Sequence, residues 1–416
     1  MVIVLACVGA AAGALWVDAN YASALESWPV LGTTVTGGRG IATTVAGATI
    51  TVAAIVFSIT ALSTQMAANQ YSPRAMGGFF EDPVQQVIIG LVVGTFTYSL
   101  LILASLSNAI IDGVAEATPS LSVTISIVLG VASAIAIVAY INHSLRRMQI
   151  DSVVRRIAAG SIEAIERHLA DRDGGDVADG QPPRGEPMGL RSTKGGWVVS
   201  IDHGHALSAL PPQTTARIDV RVGEAVSAGD RIVTVWPHPG EDWDAAGRLR
   251  RAVVTAPERS LELDPTFGIR QLVDIALRAL SSGVNDPTTA VDVIHHLKTP
   301  VRRVLLSDAP RRVFAGEDDR RVFLTQTPGR SDYVHAAFSE IRLAATGQPY
   351  VLDALLEVLQ DLESDLDDAG FNGRSGALRQ EIELTLETAR ASGLPEPDLA
   401  RVLAGHTDVE ADREPD

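Results

Sequence analysis

The chain has 416 residues, is 46% hydrophobic and carries 34 basic against 50 acidic side chains, a formal charge of −16. A balance of that sign excludes a nucleic-acid binder, because phosphate contact needs clustered Lys and Arg. With Cys7 as the only cysteine, an intrachain disulfide and a cysteine-based zinc site are excluded as well.

The charge is unevenly spread. Residues 1–143 hold two basic residues (Arg39, Arg74) and six acidic ones, a net of −4, which leaves −12 for the remainder. The first part reads as membrane and the second as an acidic soluble region. A span needs about 20 mostly apolar residues. Four runs meet or approach that: about 1–17, 40–67, 87–106 and 121–141. The first has no basic residue before its apolar run and three spans follow it, so it reads as a span rather than a signal peptide. Its abrupt start predicts a short lead upstream.

Span two is rich in hydroxyls, including Thr44, Thr51 and Ser58, and has no charged residue over 40–67. Such residues let helices approach closely and hydrogen-bond across the contact; they also suit a helix facing a wet pore. None of the four runs contains an ionisable residue, which weakens a proton-coupled transporter. Next comes the polar connection "STQMAANQYSPRAMGGFFEDP", 63–83. Pro73 stops the helix, Gly77 and Gly78 permit a tight return, and Asp82 with Pro83 restarts it. Gln65, Gln70 and Arg74 are left as candidates for a pore entrance or subunit contact.

Arg146, Arg147, Arg155 and Arg156 follow span four, whereas the loop after span three holds only acids. The positive-inside rule then places both termini in the cytoplasm. An amphipathic helix is expected over 144–173, extending the fourth span, then a Gly/Pro/Asp-rich linker over 174–194. Residues 195–240 alternate like short strands and predict a small β-module, with His203 and His205 on a strand or turn. Residues 241–404 predict a helical domain, and 405–416 a disordered tail.

Within the helical part, "DPTFGIRQLVDIALRALSSGVNDPTTAVDVIHHL" predicts an αα-hairpin. Ile269, Leu272, Val273 and Ala276 share one face. Arg270, Asp274 and Arg278 are spaced four apart and can pair along the helix. Gly283 suits the helix end, and Asp286 with Pro287 restarts the chain as N-cap and first residue. Arg270, Asp274, Arg278, Asn285 and Asp286 are the soluble candidates for a site or subunit contact, although each also has a local structural role. His295 and His296 are adjacent, about 100° apart on a helix, which is poor geometry for one metal. No nucleotide, hydrolase or metalloprotease motif occurs. The sequence therefore predicts no catalytic residues, no metal and no cofactor.

Three stretches in order resemble one family: "NQYSPRAM" with its flanks, "GWVVSID…VRVGEAVSAGDRIVTVWP", and the hairpin with "SSGVNDP". The chain resembles the bacterial predicted membrane proteins of domain-of-unknown-function family 2254. Ser282 stands where that family's turn usually has proline. The resemblance implies an integral inner-membrane protein with a cytoplasmic domain, and it implies no reaction. The expected fold is four transmembrane helices plus an α+β cytoplasmic region. The expected function is an oligomeric channel or conductance regulator, with the bilayer, ions and further copies of itself as partners. A non-conducting scaffold or ligand sensor is the alternative.

Overall fold

A computed structural model describes residues 1–21, 34–70, 83–111, 120–147, 150–170, 185–240, 243–308, 312–325 and 327–404. It falls into two compact units, Met1–Gln149 and Ile150–Asp416.

The first unit contains α1 (Val2–Asn20), α2 (Val35–Gln70), α3 (Pro83–Ile111) and α4 (Ser120–Arg147). Each is long and apolar enough to cross a membrane. Their contact surfaces are made by small residues. A Cβ added at Gly94 of α3 would lie 2.7 Å from Cys7 Sγ of α1, and one at Gly90 would lie 3.1 Å from Ile3 Cδ1. The Gly90–Gly94 pair, four residues apart on one face, is therefore what lets α1 lie close to α3. Gly130 of α4 receives Val45 of α2 in the same way. Cys7, Ala11, Ala42, Tyr98, Ile102 and Val123 form the core at this contact.

Two sequence expectations change here. The first span runs to Asn20 and so takes in Asp18, and the second begins at Val35 and takes in Arg39. Both spans thus carry an ionisable residue in an end turn, where the apolar run alone shows none. The stop at Pro73, the turn at Gly77–Gly78 and the cap at Asp82 lie outside the described residues, as does the junction at 148–149; Pro83 does open α3.

The second unit begins with α5 (Ile150–Ala170). Its β part has two sheets. The strands are β1 (Met188–Arg191), β2 (Gly196–Ile201), β3 (Thr215–Ile218), β4 (Ala225–Val226), β5 (Arg231–Trp236), β6 (Val253–Ala256), β7 (Val313–Ala315) and β8 (Arg321–Leu324). One sheet has the order β1-β5-β3-β8-β7 and the other β4-β2-β6. β3 and β8 run parallel, Thr215 opposite Arg321, and the remaining pairs are antiparallel. Two short helices, α6 (His203–Ala209) and α7 (Ala246–Arg251), cover the sheets. Val198, Ala216, Ile218, Val233, Val235, Leu249 and Val322 fill the shared core.

β6, β7 and β8 come from the stretch that the amphipathic pattern marks as helical. They are three or four residues long, too short to impose a period of their own. His203 and His205 likewise open α6 rather than a strand. Asp202 is its N-cap and accepts from the His205 N–H at 2.8 Å. An N-capping Asp beside two histidines outweighs the β-rich surroundings.

The helical part comprises α8 (Phe267–Ala279), α9 (Pro287–Leu306), α10 (Arg330–Ala344), α11 (Pro349–Asp368), α12 (Gly376–Ala391) and α13 (Glu396–Ala404). Ile269, Leu272, Val273 and Ala276 of α8 are wholly buried. Each such aliphatic side chain contributes roughly 1.5–3 kcal/mol. Gly268 sits where any Cβ would overlap Ser161 Oγ of α5, so glycine sets that helix spacing. The α8–α9 hairpin forms as the sequence predicts, with one difference. The left-handed residue is Asn285, at φ 49°, and not Gly283. Asparagine tolerates this conformation better than most side chains.

Candidate functional site

Four of the predicted pore or interface residues lie on one line. Thr44, Thr51, Ser58 and Gln65 are spaced seven apart on α2, and all four are exposed. At about 1.5 Å per residue the line is roughly 31 Å long, close to the ~30 Å hydrocarbon thickness. Gly47, Ala54 and Ala61 fall between them, Gly40 lies one turn before Thr44, and all four are exposed too. This is a 3.5-residue repeat, the period with which helices pack along a shared seam. The hydroxyls of Thr44, Thr51 and Ser58 donate to the carbonyls of Gly40, Gly47 and Ala54 at 2.8–2.9 Å. Each hydrogen is thereby spent inside the helix, and the oxygen's remaining lone-pair capacity is presented outward. Thr44 also edges a groove of about 260 Å³ between α2 and α4. The side chain of Gln70, and Arg74 altogether, lie outside the described residues.

Hydrogen bonding between helices runs elsewhere than the composition of span two suggests. Ser99 meets Ser126 at 3.0 Å and Thr95 meets Ser133 at 2.9 Å, both across α3 and α4. Tyr98 donates to the Ser122 carbonyl at 3.0 Å. α2 contributes Thr60, whose hydroxyl meets that of Tyr140 at 2.6 Å. The upper end of the seam is closed by Asp18. Its carboxylate accepts from the Leu121 and Ser122 N–H groups at 3.1 and 2.9 Å, and from Ser122 Oγ. Asp18 is thus an N-cap supplied to α4 by another helix, and only 4% exposed. The sequence signal was the lone acid at the end of an apolar run, which charge counting assigns to the loop.

In the second unit the predicted residues hold helices together. Arg270 bonds Asp274 on its own helix, Nε to Oδ1 at 2.8 Å, and Glu340 on α10 through both guanidinium nitrogens. Burial opposes its charge, but these two carboxylates outweigh it and its pKa rises. Asp286 caps α9, accepting from the Thr289 N–H at 3.2 Å and hydroxyl at 2.6 Å. Asn285 Oδ1 accepts from Gln348 Nε2 at 3.3 Å. Arg278 lies on α8, two turns after Arg270, and Ser281 donates to its carbonyl. His296 does gather acids: Asp151, Asp292 and His296 place ligand atoms within 4.8 Å of one another. Asp151 is paired with Arg155, and His296 Nδ1 lies 2.9 Å from the Asp292 carbonyl.

A cleft that none of these residues lines is the other candidate. Two adjoining cavities of about 190 and 210 Å³ share His168 and Pro328. The first takes Arg167, Arg221, His203 and Phe314, with the His203 and Phe314 rings stacked at 3.9 Å. The second takes Arg312, Arg330 and Tyr333. The cleft floor is fixed by a buried pair: Asp264, 1% exposed, holds Arg259 Nε at 2.7 Å and the N–H and hydroxyl of Thr266 at 3.0 and 2.8 Å. Burial, with Asp264 and Asp332 nearby, pushes the Tyr333 hydroxyl's pKa well up, so it stays neutral and protonated. Nothing in the sequence marks the cleft, because its four arginines come from separate segments spread over residues 167–330.

Four apolar helices followed by a mixed α/β unit define a membrane protein of four candidate spans with a large non-membrane region. The chain belongs to the family described as "Predicted membrane protein (DUF2254)", whose signature covers residues 1–361. It is 32% identical over 378 residues to the uncharacterized protein Rv1290c of Mycobacterium tuberculosis, covering 88% of this chain and 70% of that one. The same figures hold for the uncharacterized protein Mb1321c of Mycobacterium bovis. No solved structure matches.

Proposed function

We propose that the protein is an oligomeric channel or conductance regulator of the bacterial inner membrane, with α2 facing the shared axis. In this reading both termini and the second unit are cytoplasmic, as the arginines after the fourth span favour. The observation that carries the reading is the line Thr44–Thr51–Ser58–Gln65, exposed and as long as a bilayer is thick. Gln65 lies three residues past Leu62, where the candidate span ends, so its amide suits a wet mouth of the line. Facing a water-filled axis it costs nothing, and the outward hydroxyl oxygens favour cations over anions.

Purified protein in planar bilayers tests this. Conductance should appear under voltage or tension, and a cysteine at position 51 or 58 should make it sensitive to a water-soluble thiol reagent. Membranes silent under all such conditions would leave the scaffold or sensor reading in its place.

A further inference from the structure

We propose that the cleft in the second unit binds a phosphate ester with a flat or apolar body. The proposal does not depend on conduction. Its first support is charge. The cleft takes four arginines, Arg167, Arg221, Arg312 and Arg330, against two acids, Glu262 and Asp308. This concentration of cations occurs in a chain of charge −16. Elsewhere in the unit, Arg259, Arg342 and Arg379 are matched to Asp264, Glu381 and Glu363, and the arginines without a carboxylate, such as Arg248, Arg251 and Arg390, are scattered on exposed positions rather than gathered at one cavity. In the cleft, Arg221, Arg312 and Arg330 make no salt bridge among the described residues, and Asp308 is engaged by Arg374 at 3.3 Å.

The second support is the setting of Arg330. It opens α10 at the cavity wall, and one terminal nitrogen donates to the Ser307 carbonyl at 2.5 Å. Its Nε is buried and has no hydrogen-bond partner among the described residues. Burial and the neighbouring Arg374 both disfavour its charge and lower its pKa. The α9 C-terminus explains part of this arrangement, since cations are stabilised there. It does not explain a buried donor left over, nor the exposed Arg312 and Arg221. An anion entering the cavity supplies Arg330 with the counter-charge that no carboxylate bonded to it provides, and recruits the others. A guanidinium fork matches phosphate oxygens in pairs.

The third support is the apolar wall. Ile165, Leu169, Val304 and Tyr333 surround Arg330, and the Phe314–His203 stack lies in the adjoining cavity. Each cavity has room for roughly six or seven water volumes, enough for a phosphate in one and a ring or short chain in the other. The same chemistry is offered by a soluble organophosphate and by a lipid phosphate headgroup.

Calorimetric titration of the full-length protein in neutral detergent separates these. The probes are phenyl phosphate, a short-chain phosphatidic acid, inorganic phosphate and phenol. Wild type should bind at least one organophosphate, inorganic phosphate should bind at least tenfold more weakly, and phenol should not register. Preference for phenyl phosphate points to a soluble ligand, and preference for phosphatidic acid to a lipid. Arg330→Gln should weaken binding tenfold or more, whereas Arg390→Gln, on α12 and lining neither cavity, should leave it unchanged. Should Arg330→Gln not fold, the exposed Arg221→Gln and Arg312→Gln decide, each expected to weaken binding severalfold. Absence of binding by both organophosphates overturns the proposal, as does binding that these arginine variants leave untouched.

Discussion

The two units bury polar groups by opposite means. In the helical bundle, Asp18 apart, the buried polar side chains among the described residues are hydroxyls, and most bond a carbonyl one turn back or another hydroxyl, as in Ser99–Ser126. In the second unit they include carboxylates, each held by an arginine, as Glu381 is by Arg342 of another helix at 2.8 Å. A hydroxyl that bonds its own helix needs nothing from its neighbours. Polar residues can therefore be left on the outside of α2 without harm to the fold. A charge has no such internal solution, so a buried arginine nitrogen without a partner among the described residues, as at Arg330, stands out in the second unit in a way that an exposed threonine does not in the first.

The sharpest way to break this contrast is to remove one partner from a buried pair. Glu381 is fully buried and also meets Ser339 Oγ at 3.0 Å and His335 Nδ1 at 3.4 Å. Arg342→Met should destabilise the second unit by about 3–5 kcal/mol, because the carboxylate is left without its main partner. Denaturant unfolding of the detergent-solubilised protein, followed by tryptophan fluorescence, reads this. A loss under 1 kcal/mol would mean that His335 takes the charge and the pair is not what holds α10 to α12.

The matching test in the bundle concerns packing. Gly94→Ala places a methyl group 2.7 Å from Cys7 Sγ, and overpacking of this kind costs about 1–3 kcal/mol. Cys7→Ala in the same chain should recover most of the loss, since it removes the sulfur that clashes. Thermal unfolding of the two single variants and the double variant in detergent measures the coupling. Additive losses would place the strain elsewhere.

Asp18 is the point where the two means meet, being a carboxylate in the bundle. Asp18→Ala exposes the Leu121 and Ser122 N–H groups and should cost about 0.5–2 kcal/mol, the usual value of an N-cap. Asp18→Asn keeps an acceptor and should cost less. Equal losses from the two would show that the charge, rather than the cap, is what α4 uses.

The sequence made the spans and the hairpin legible because each is governed by local rules. An apolar run longer than 18 residues has few alternatives, and Asp286-Pro287 is a helix start wherever it occurs. It did not reveal Asp18 as a cap, because its partners are 103 and 104 residues away. Nor did it reveal β7 and β8, which exist only because β3 gives β8 a neighbour more than a hundred residues distant. The cleft was illegible for the same reason: Arg167, Arg221, Arg312 and Arg330 share no period and no segment. The α2 line lay between these cases. Its hydroxyl content was plain, while its seven-residue spacing acquires meaning only once the helix shows which side its neighbours leave open.

The smallest expected effect on stability is the most informative about function. Thr51 donates to the Gly47 carbonyl at 2.9 Å and touches the exposed face of α2. Thr51→Val is nearly isosteric, removes that hydroxyl and leaves no buried group unpaired, so stability should move by no more than about 0.5 kcal/mol. Against lipid, a methyl group in place of a hydroxyl would change nothing measurable. At a wet axis, the same substitution adds an apolar ring to the pore in every copy and favours dewetting there. Single-channel conductance should then fall severalfold while the melting temperature in detergent stays put. A change in melting temperature with conductance intact would instead mean that the line is a dry contact between copies, and that any conduction pathway lies on another face.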